Sequence, residues 1–441
     1  MGQSYRSTED FQLIQECNMH IIEKVNENKK PLSDRQIKTM IINSIKGKHL
    51  QKVLLIPPDF TRFYSMAGKI TRMYYDILKE SCHIDILPAL GTHEKMSETE
   101  CYDMFGDIPY DKFIVHDWKN DVVKIGEVPR EYVTEISDGL ISEKIEVEVN
   151  KVLLDKSYDL IISIGQVVPH EVVGMANYSK NIFVGCGGSH MINQSHMLGA
   201  FYGMEKVMGK DYSPVRKVFD YAHTHFLGDM PLLFVLTVTT QNKKSADIQG
   251  LFIGTTREAF SKAVRLSQEK NLTYLDQAPK KMVVYLDEKE FKSTWLGNKA
   301  IYRTRMAIAD GGELIILAPS VNKFGEDKDN DRLIRKYGYI GRENVLKLVN
   351  KNEDLKHNLS VAAHLIHGSS DGRFSITYAV DKLTREEIEG ASYQYLDYNE
   401  TIKKYNPLKL KDGINVMKDG EEIYYISNPA LGLWAERKKF F

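Results

Sequence analysis

Cysteine is scarce in this sequence. The 441 residues include four cysteines, Cys17, Cys82, Cys101 and Cys186, and none of them belongs to a C-x-x-C pair. Such dispersed cysteines argue against a disulfide framework and against a thiolate zinc site, because both need characteristic spacings. Reduced thiols are typical of a cytoplasmic protein, and we expect that location.

A long apolar run and an excess of charge are also missing. No run is long enough to cross a bilayer. The first residues, MGQSYRSTEDFQ, have no signal-peptide core and no myristoylation pattern, since Arg6 stands where Ser or Thr is required. The net charge is −1, whereas nucleic-acid-binding proteins are usually basic. We therefore expect no membrane partner and no nucleic-acid partner.

The glycine patterns of ordinary nucleotide-binding proteins are absent too. Gly185, Gly187 and Gly188 form a cluster, but they lie between a lysine and histidines rather than tightly between a strand and a helix. No Walker pattern occurs. Ordinary NAD or ATP binding is therefore not supported.

What the sequence does contain is an alternation of apolar strands and amphipathic helices. Hydrophobic residues make up 42% and charged residues 27%, as in globular proteins. The chain is longer than those that form a single hydrophobic core. We predict two α/β domains, an N-terminal one over residues 1–275 and a C-terminal one over 276–441, whose last strand can return to the first domain. The predicted strands are 52–57, 83–87, 113–116, 158–164, 232–240, 251–253, 281–286, 313–319, 374–380 and 422–426, with a small antiparallel unit inside 127–150. The predicted helices are 35–45, 66–80, 94–105, 197–209, 215–226, 257–268, 298–309, 333–348 and 385–388, with helical spacing also over 11–25.

Polar residues follow the first two of these strands. Asp59, Thr61 and Arg62 lie between a strand and a helix, where backbone N–H groups and an arginine bind anions. The alternative is a helix cap with a surface arginine. His93, in Gly91-Thr92-His93, also follows a strand, and a hydrogen-bonded structural histidine is the alternative there.

The most unusual stretch runs from residue 164 to residue 196. It contains Pro169-His170, Lys180, the glycine cluster, His190 and His196. A lysine and three histidines can supply a nucleophilic amine, an acid/base pair and a metal ligand. By chemistry alone, His190 and His196 are equal candidates for the metal ligand.

Two further histidine pairs offer weaker alternatives. His223 and His225 could form a two-ligand pair on one face of a strand, or be ordinary half-buried histidines. His364 and His367 are spaced as on one helix face and could serve a zinc hydrolase, but no H-E-x-x-H pattern accompanies them.

These motifs resemble the nickel-dependent lactate racemase family. That family has a Pro-His, a lysine ten residues later and a histidine sixteen residues after the lysine, which His170, Lys180 and His196 match. Its D-x-T-R and G-x-H motifs and a later lysine are matched by Asp59, Thr61, Arg62, His93 and Lys299. Leu296 departs from the pattern, because the family has a glutamine there. The resemblance extends over most of the chain.

The resemblance implies two α/β domains with the active site in the interdomain cleft. It implies a nickel-pincer nucleotide, a pyridinium bisthiocarboxylate mononucleotide, attached covalently at Lys180, with nickel bound by His196. His93 and His170 would be the catalytic bases, and Arg62 and Lys299 would bind substrate. Cofactor-maturation enzymes would be partners. The residues that would contact the cofactor are Asp59, Thr61, Arg62, Lys180, His196 and Lys299.

The implied reaction inverts C2 of a small-molecule 2-hydroxy acid by reversible hydride transfer. Leu296 and polar second-domain segments, Asn322-Lys323 and residues 364–373, favour an aldonate such as D-gluconate, epimerised to D-mannonate. We then expect polar-to-apolar changes at His364 or His367 to impair only a sugar acid. Lactate is the alternative substrate. A non-catalytic homologue that binds a cofactor or ligand is the alternative of another class.

Overall fold

Two six-stranded sheets form the framework of the described chain. The computed structural model describes residues 21–26, 30–241, 245–430 and 432–440. No helix in these ranges is long and apolar enough to cross a membrane. Mixed α/β architecture is thus confirmed, and the boundary at residue 275 stays a prediction.

The first sheet and its helices occupy the N-terminal part. The strands are β1 (Ile22–Val25), β2 (Lys52–Ile56), β3 (His83–Ile86), β4 (Val122–Val128), β5 (Ile145–Asn150), β6 (Leu160–Gln166), β7 (Pro169–His170), β8 (Gly174–Met175), β9 (Leu232–Gln241), β10 (Ala246–Gly254) and β11 (Leu272–Leu275). The helices are α1 (Asp34–Ile45), α2 (Ala67–Leu78), α3 (Glu98–Phe105), α4 (Arg130–Ile136), α5 (Ser189–Tyr202), α6 (Met204–Val207), α7 (Pro214–Phe226) and α8 (Arg257–Asn271).

The second sheet occupies the C-terminal part. Its region contains β12 (Lys281–Tyr285), β13 (Glu313–Leu317), β14 (Ser375–Val380), β15 (Gln394–Asp397), β16 (Gly413–Val416), β17 (Glu422–Ile426) and β18 (Leu433–Glu436). The helices are α9 (Thr294–Gly297), α10 (Lys299–Thr304), α11 (Lys328–Tyr337), α12 (Arg342–Lys351), α13 (Glu353–Lys356), α14 (Leu359–His367), α15 (Arg385–Gly390), α16 (Tyr398–Lys404) and α17 (Arg437–Phe440).

Sheet topology explains why the polar motifs meet. The first sheet has the order β1-β10-β9-β6-β2-β3, and its β9, β6, β2 and β3 run parallel. The carboxyl ends of β2, β3 and β6 therefore lie at one edge, where ligands bind in α/β folds. The second sheet has the order β15-β14-β13-β12-β17-β16, parallel except for β16. The last predicted strand, 422–426, is β17 of the second sheet, whereas β18, which the sequence did not predict, pairs in parallel with β11.

Several predicted elements are wrong. Residues 113–116 form no strand, because pairing stops at a single bridge between Phe113 and Ile86. Helical spacing over 11–25 fails at Ile22–Val25, which is edge strand β1; Phe11 and Ile14 lie outside the described residues. The predicted helix 333–348 is two helices, α11 and α12, since Gly338 and Gly341 have positive φ.

Two site helices also differ from the prediction. The expected helix 197–209 begins at Ser189, so His196 lies inside α5 rather than before it. The expected helix 298–309 is replaced by the short α9 and α10. The capping box at Ser97 and Glu100 is confirmed, although α3 starts only at Glu98.

Candidate active site

Asp59 and His93 form a hydrogen-bonded pair at the ends of β2 and β3. Asp59 is buried; its Oδ2 lies 2.5 Å from Nδ1 of His93, and its Oδ1 accepts a 2.6 Å bond from the Thr61 hydroxyl. Burial alone would raise the pKa of Asp59, but His93 and Thr61 lower it, so the group is an ionised acceptor. His93 therefore carries its proton on Nδ1 and can exchange a second proton at Nε2.

The same carboxylate makes His93 a stronger base. Burial would lower the pKa of His93, but the charge and hydrogen bond of Asp59 outweigh burial and raise it. Glu326, from the C-terminal part, adds to this increase, and Lys180 opposes it. The pair is the arrangement in which a carboxylate orients and activates a general base.

His170 has the opposite proton placement. It ends the two-residue strand β7, and its Nδ1 accepts a 3.2 Å hydrogen bond from the backbone N–H of Val172. A neutral imidazole whose Nδ1 accepts a bond carries its proton on Nε2. Burial lowers the pKa of His170 well below its usual value, while the Glu171 carboxylate, 3.9 Å from Nδ1, partly opposes this.

The backbone has an unusual conformation next to Lys180. It immediately precedes a π-helical turn, Asn181–Gly185, of a kind often found at functional sites. Asn181 anchors the turn by donating to the Ile56 carbonyl and the Ser163 hydroxyl. Burial and the nearby Arg62 lower the pKa of Lys180 to about 8, which makes its amine available as a nucleophile near neutral pH.

A buried arginine holds the segment before Lys180. Arg216 on α7 donates to the carbonyls of Met175 and Asn177 and to the hydroxyl of Ser179. Asn177 has a positive φ of 68°, a strained conformation that this anchoring maintains.

The glycine cluster permits close packing around this turn. A Cβ at Gly187 would lie 1.8 Å from the Phe183 carbonyl oxygen, and one at Gly188 would meet the Glu148 side chain. Gly185 packs against Ala89, so the turn can approach the strand ends. The glycines therefore serve backbone packing at this position.

The structure distinguishes His196 from His190, the other candidate for a metal ligand. Nδ1 of His196 donates a 2.6 Å bond to the Ile192 carbonyl, and burial lowers its pKa to about 4, so Nε2 has a free lone pair. This is the tautomer of a metal-ligating histidine. His190 instead accepts at Nδ1 from the backbone of Glu146 and lies outside the cavity lining.

The C-terminal part supplies Lys299 to the same site. Lys299 is buried, and its Nζ lies 3.6 Å from Glu290 Oε1. One turn later, Arg303 is fully buried, and its Nε and Nη2 have no partner among the described residues. Two buried cations therefore face the N-terminal residues from this helix.

An inner cavity of about 140 Å³ lies between the strand ends, the π-helical turn and Lys299. Its walls come from both parts of the chain, which agrees with the predicted interdomain cleft. The sequence-predicted residues that line it are Asp59, Thr61, Arg62, His93, His170, Lys180, His196 and Lys299. An adjoining outer cavity of about 540 Å³ shares Asp59, Thr61, His93 and Leu296 with it.

The other histidine pairs lie elsewhere. His223 and His225 are on helix α7, not on a strand, so they do not share one strand face. His364 and His367 are buried in helix α14; His364 stacks on Trp295 at 4.1 Å and bonds the hydroxyls of Tyr302 and Tyr339. Neither lines the inner or outer cavity. Across the described ranges, no group of three or more His, Cys, Asp or Glu could hold a metal ion by itself.

Sequence reasoning missed three charged residues of this region, Glu171, Arg216 and Arg303. Glu171 lines the inner cavity, and its pKa is lowered because His170 and Arg303 outweigh the effect of burial. A glutamate directly after Pro-His was a usable signal. Nothing in the local sequence marks an arginine as buried.

Comparisons with known proteins find one family model and solved structures of similar fold. Residues 5–209 match the model of the lactate racemase N-terminal domain. A crystal structure of a protein from Thermotoga maritima superposes with a TM-score of 0.80 at 23% identity, covering 93% of this chain and 100% of that one. The lactate racemase apoprotein from Thermoanaerobacterium thermosaccharolyticum superposes with a TM-score of 0.67 at 18% identity, covering 92% and 91%. No curated protein matches the sequence significantly. At these identities the two structures establish a common fold.

Proposed function

We propose that the chain is a member of the lactate racemase family, whose N-terminal domain model matches residues 5–209, and that it inverts C2 of a 2-hydroxy acid with a nickel-pincer nucleotide. One observation carries the proposal. A lysine with a lowered pKa, a histidine with a free Nε2 and two further histidines line a single cavity.

The residues present fit such a cofactor. The Lys180 amine is suited to covalent attachment, and His196 presents nitrogen Nε2 to a metal. Arg303 has two buried N–H groups without a partner among the described residues, which adds positive charge suited to an anionic ligand. His196 would be the metal ligand that this chain supplies, and the cofactor's own atoms would supply the other ligands.

When bound, the cofactor would supply the hydride-transfer chemistry at C2. Arg62 and Lys299 bind the substrate carboxylate. His93 takes the hydroxyl proton at Nε2, and the Asp59 carboxylate stabilises the resulting imidazolium. Asp59 and Thr61 bond each other and His93, so in this chain we assign them to orienting the base rather than to contacting the cofactor.

His170 is the second acid/base group, for the isomer whose hydroxyl lies on the other side. In the structure its Nε2 carries the proton, so it first acts as a hydrogen-bond donor. To accept a proton at Nε2 it must first lose the proton held there and take one up at Nδ1, which displaces the hydrogen bond from the Val172 N–H.

D-Gluconate remains the proposed substrate, with D-mannonate as product, but the structural reason for this choice changes. The polar residues expected at 364–367 are buried behind Trp295, so the prediction that His364 and His367 select a sugar acid loses its support. The argument for a sugar acid now depends on the outer cavity beside His93, because that cavity offers room and polar walls for a hydroxylated tail. Lactate remains the second candidate, because apolar Leu296 lines both cavities and suits a methyl group.

The test uses protein loaded with cofactor by its maturation enzymes. D-Gluconate and D-lactate are offered separately, and the products are followed by NMR. We expect mannonate from gluconate, and no turnover by Lys180→Ala. Turnover of lactate alone would overturn the substrate assignment. Failure of the loaded enzyme to invert any 2-hydroxy acid would favour a non-catalytic homologue.

A further inference from the structure

Glu290 stands where the inner and outer cavities meet. It lines the outer cavity, whereas its ion-pair partner Lys299 lines the inner one. Its side chain is only 10% exposed. The Asn428 amide donates to its Oε2 at 3.4 Å, which helps fix the carboxylate in place.

The tail of a substrate must pass this residue. With the carboxylate on Arg62 and Lys299 and the hydroxyl at His93, the remaining carbons cannot stay in a cavity of about 140 Å³ shared with the cofactor. Both cavities share His93 and Leu296, so the open direction is into the outer cavity. The far end of the substrate therefore lies among the walls of that cavity.

Carboxylates dominate the partly buried walls there. Asp287, Glu290 and Glu326 are half-buried, whereas Lys95, Lys289 and Lys292 are exposed to solvent. Exposed charges are screened much more than buried ones. One cation in these walls, Lys323, is also half-buried, and it donates to the Glu326 backbone carbonyl.

A hydroxyl group is also available to a substrate tail. Burial, with Asp287 and Glu290 nearby, raises the pKa of Tyr64, so its phenol stays protonated. A protonated phenol both donates and accepts hydrogen bonds, as a polyhydroxy tail requires.

We propose that Glu290 is the specificity-determining residue of this site. It positions the Lys299 ammonium for the substrate carboxylate, and it repels a second carboxylate at the far end of the tail. The substrate class is then a 2-hydroxy monocarboxylate with an uncharged, hydroxylated tail. The inference rests on the proposed function. Glu290 would discriminate between substrates through an unfavourable contact, its repulsion of a second carboxylate.

The test compares two acids that differ at one carbon. D-Gluconate ends in CH₂OH and D-glucarate ends in a carboxylate. Binding to the cofactor-free protein is measured by calorimetry, and kcat and KM are measured with the loaded enzyme. We expect the wild type to prefer gluconate by about tenfold or more, because the Glu290 carboxylate repels the second carboxylate of glucarate.

Variants separate the two roles of Glu290. Glu290→Gln should lose most of the preference through tighter glucarate binding, and should raise KM for gluconate with little change in kcat. Glu290→Asp keeps the charge but shortens the reach, so it should raise KM while glucarate stays excluded. Glu288→Gln, two residues away and exposed, is the matched control and should leave selectivity unchanged.

The outcomes are distinguishable. Equal affinity of the wild type for the two acids, or an unchanged preference in Glu290→Gln, would overturn the role of Glu290 while leaving the proposed function standing. If neither acid binds the wild type or is turned over, the assignment of gluconate as substrate fails and the inference fails with it, whereas turnover of lactate by the same loaded enzyme would leave the inversion of a 2-hydroxy acid standing.

Discussion

At the scale of single residues, proton placement distinguishes the histidines of the site. His93 and His196 hold a proton on Nδ1, because a carboxylate and a carbonyl accept from that atom. His170 holds it on Nε2, because a backbone N–H donates to its Nδ1. Sequence motifs predicted that these three residues belong together, but not their tautomers, since the tautomer depends on partners supplied by folding.

Asp59→Asn should change the pH dependence of the reaction. Without the carboxylate, burial and Lys180 outweigh the remaining effect of Glu326 and lower the pKa of His93, so the acidic limb of kcat/KM moves to lower pH. The rate should also fall by about 10²-fold, as when a general base loses its orienting partner. Profiles of wild type and variant are compared with Asp76→Asn, an exposed carboxylate on α2. An unshifted limb would show that Asp59 does not control His93.

Lys180 should react with amine reagents at unusually low pH. Its pKa is lowered to about 8, so in the cofactor-free protein its acetylation by acetic anhydride should reach half-maximal rate near pH 8. Peptide mass spectrometry follows the modification, with exposed Lys38 as the reference in the same sample. A midpoint for Lys180 at or above that of Lys38 would contradict the lowered pKa.

At the scale of elements, strand–turn–helix order was readable from sequence, and irregular turns were not. Apolar strands 52–56, 160–164 and 422–426 were located because their runs are short and buried. The π-turn at Asn181–Gly185 and the α9–α10 break were missed, because packing of Gly187 and of Asn298 against neighbouring elements decides them. Those irregular pieces place Lys180 and Lys299.

Gly187→Ala tests the close packing of the π-turn. The added Cβ would lie 1.8 Å from the Phe183 carbonyl oxygen, so the backbone must shift. We expect the free energy of unfolding to fall by about 3 kcal/mol, as for overpacked cores. We also expect the pH midpoint for acetylation of Lys180 to rise. Denaturant titration measures the first effect. Gly390→Ala, whose added Cβ would meet no atom within 4 Å beyond its chain neighbours and its own helix backbone, is the control and should be nearly neutral. Equal stability of both variants would contradict the close packing.

At the scale of the whole molecule, both parts of the chain contribute to one apolar core as well as to one cavity. Met197, Met204 and Met208 pack in the same cluster as Leu296 and Ile301. Sequence composition indicated two domains, but it could not show this shared core, which depends on contacts between distant segments.

A fragment of residues 1–275 should therefore not behave as an independent domain. It would expose the methionine surface that the second part covers. We expect aggregation on size-exclusion chromatography and a less cooperative thermal transition than that of the full chain. A monomeric fragment with a sharp transition would show that the boundary at residue 275 separates two self-sufficient units.

The most direct test of the proposed mechanism follows the hydrogen at C2. Cofactor-loaded protein in deuterated water is given D-gluconate, and the product is examined by NMR. Hydride transfer predicts mannonate whose C2 hydrogen comes from the substrate, without deuterium. Deuterium at C2 would show proton abstraction from carbon instead, and would contradict the roles assigned to His93, His170 and the Lys180 cofactor site.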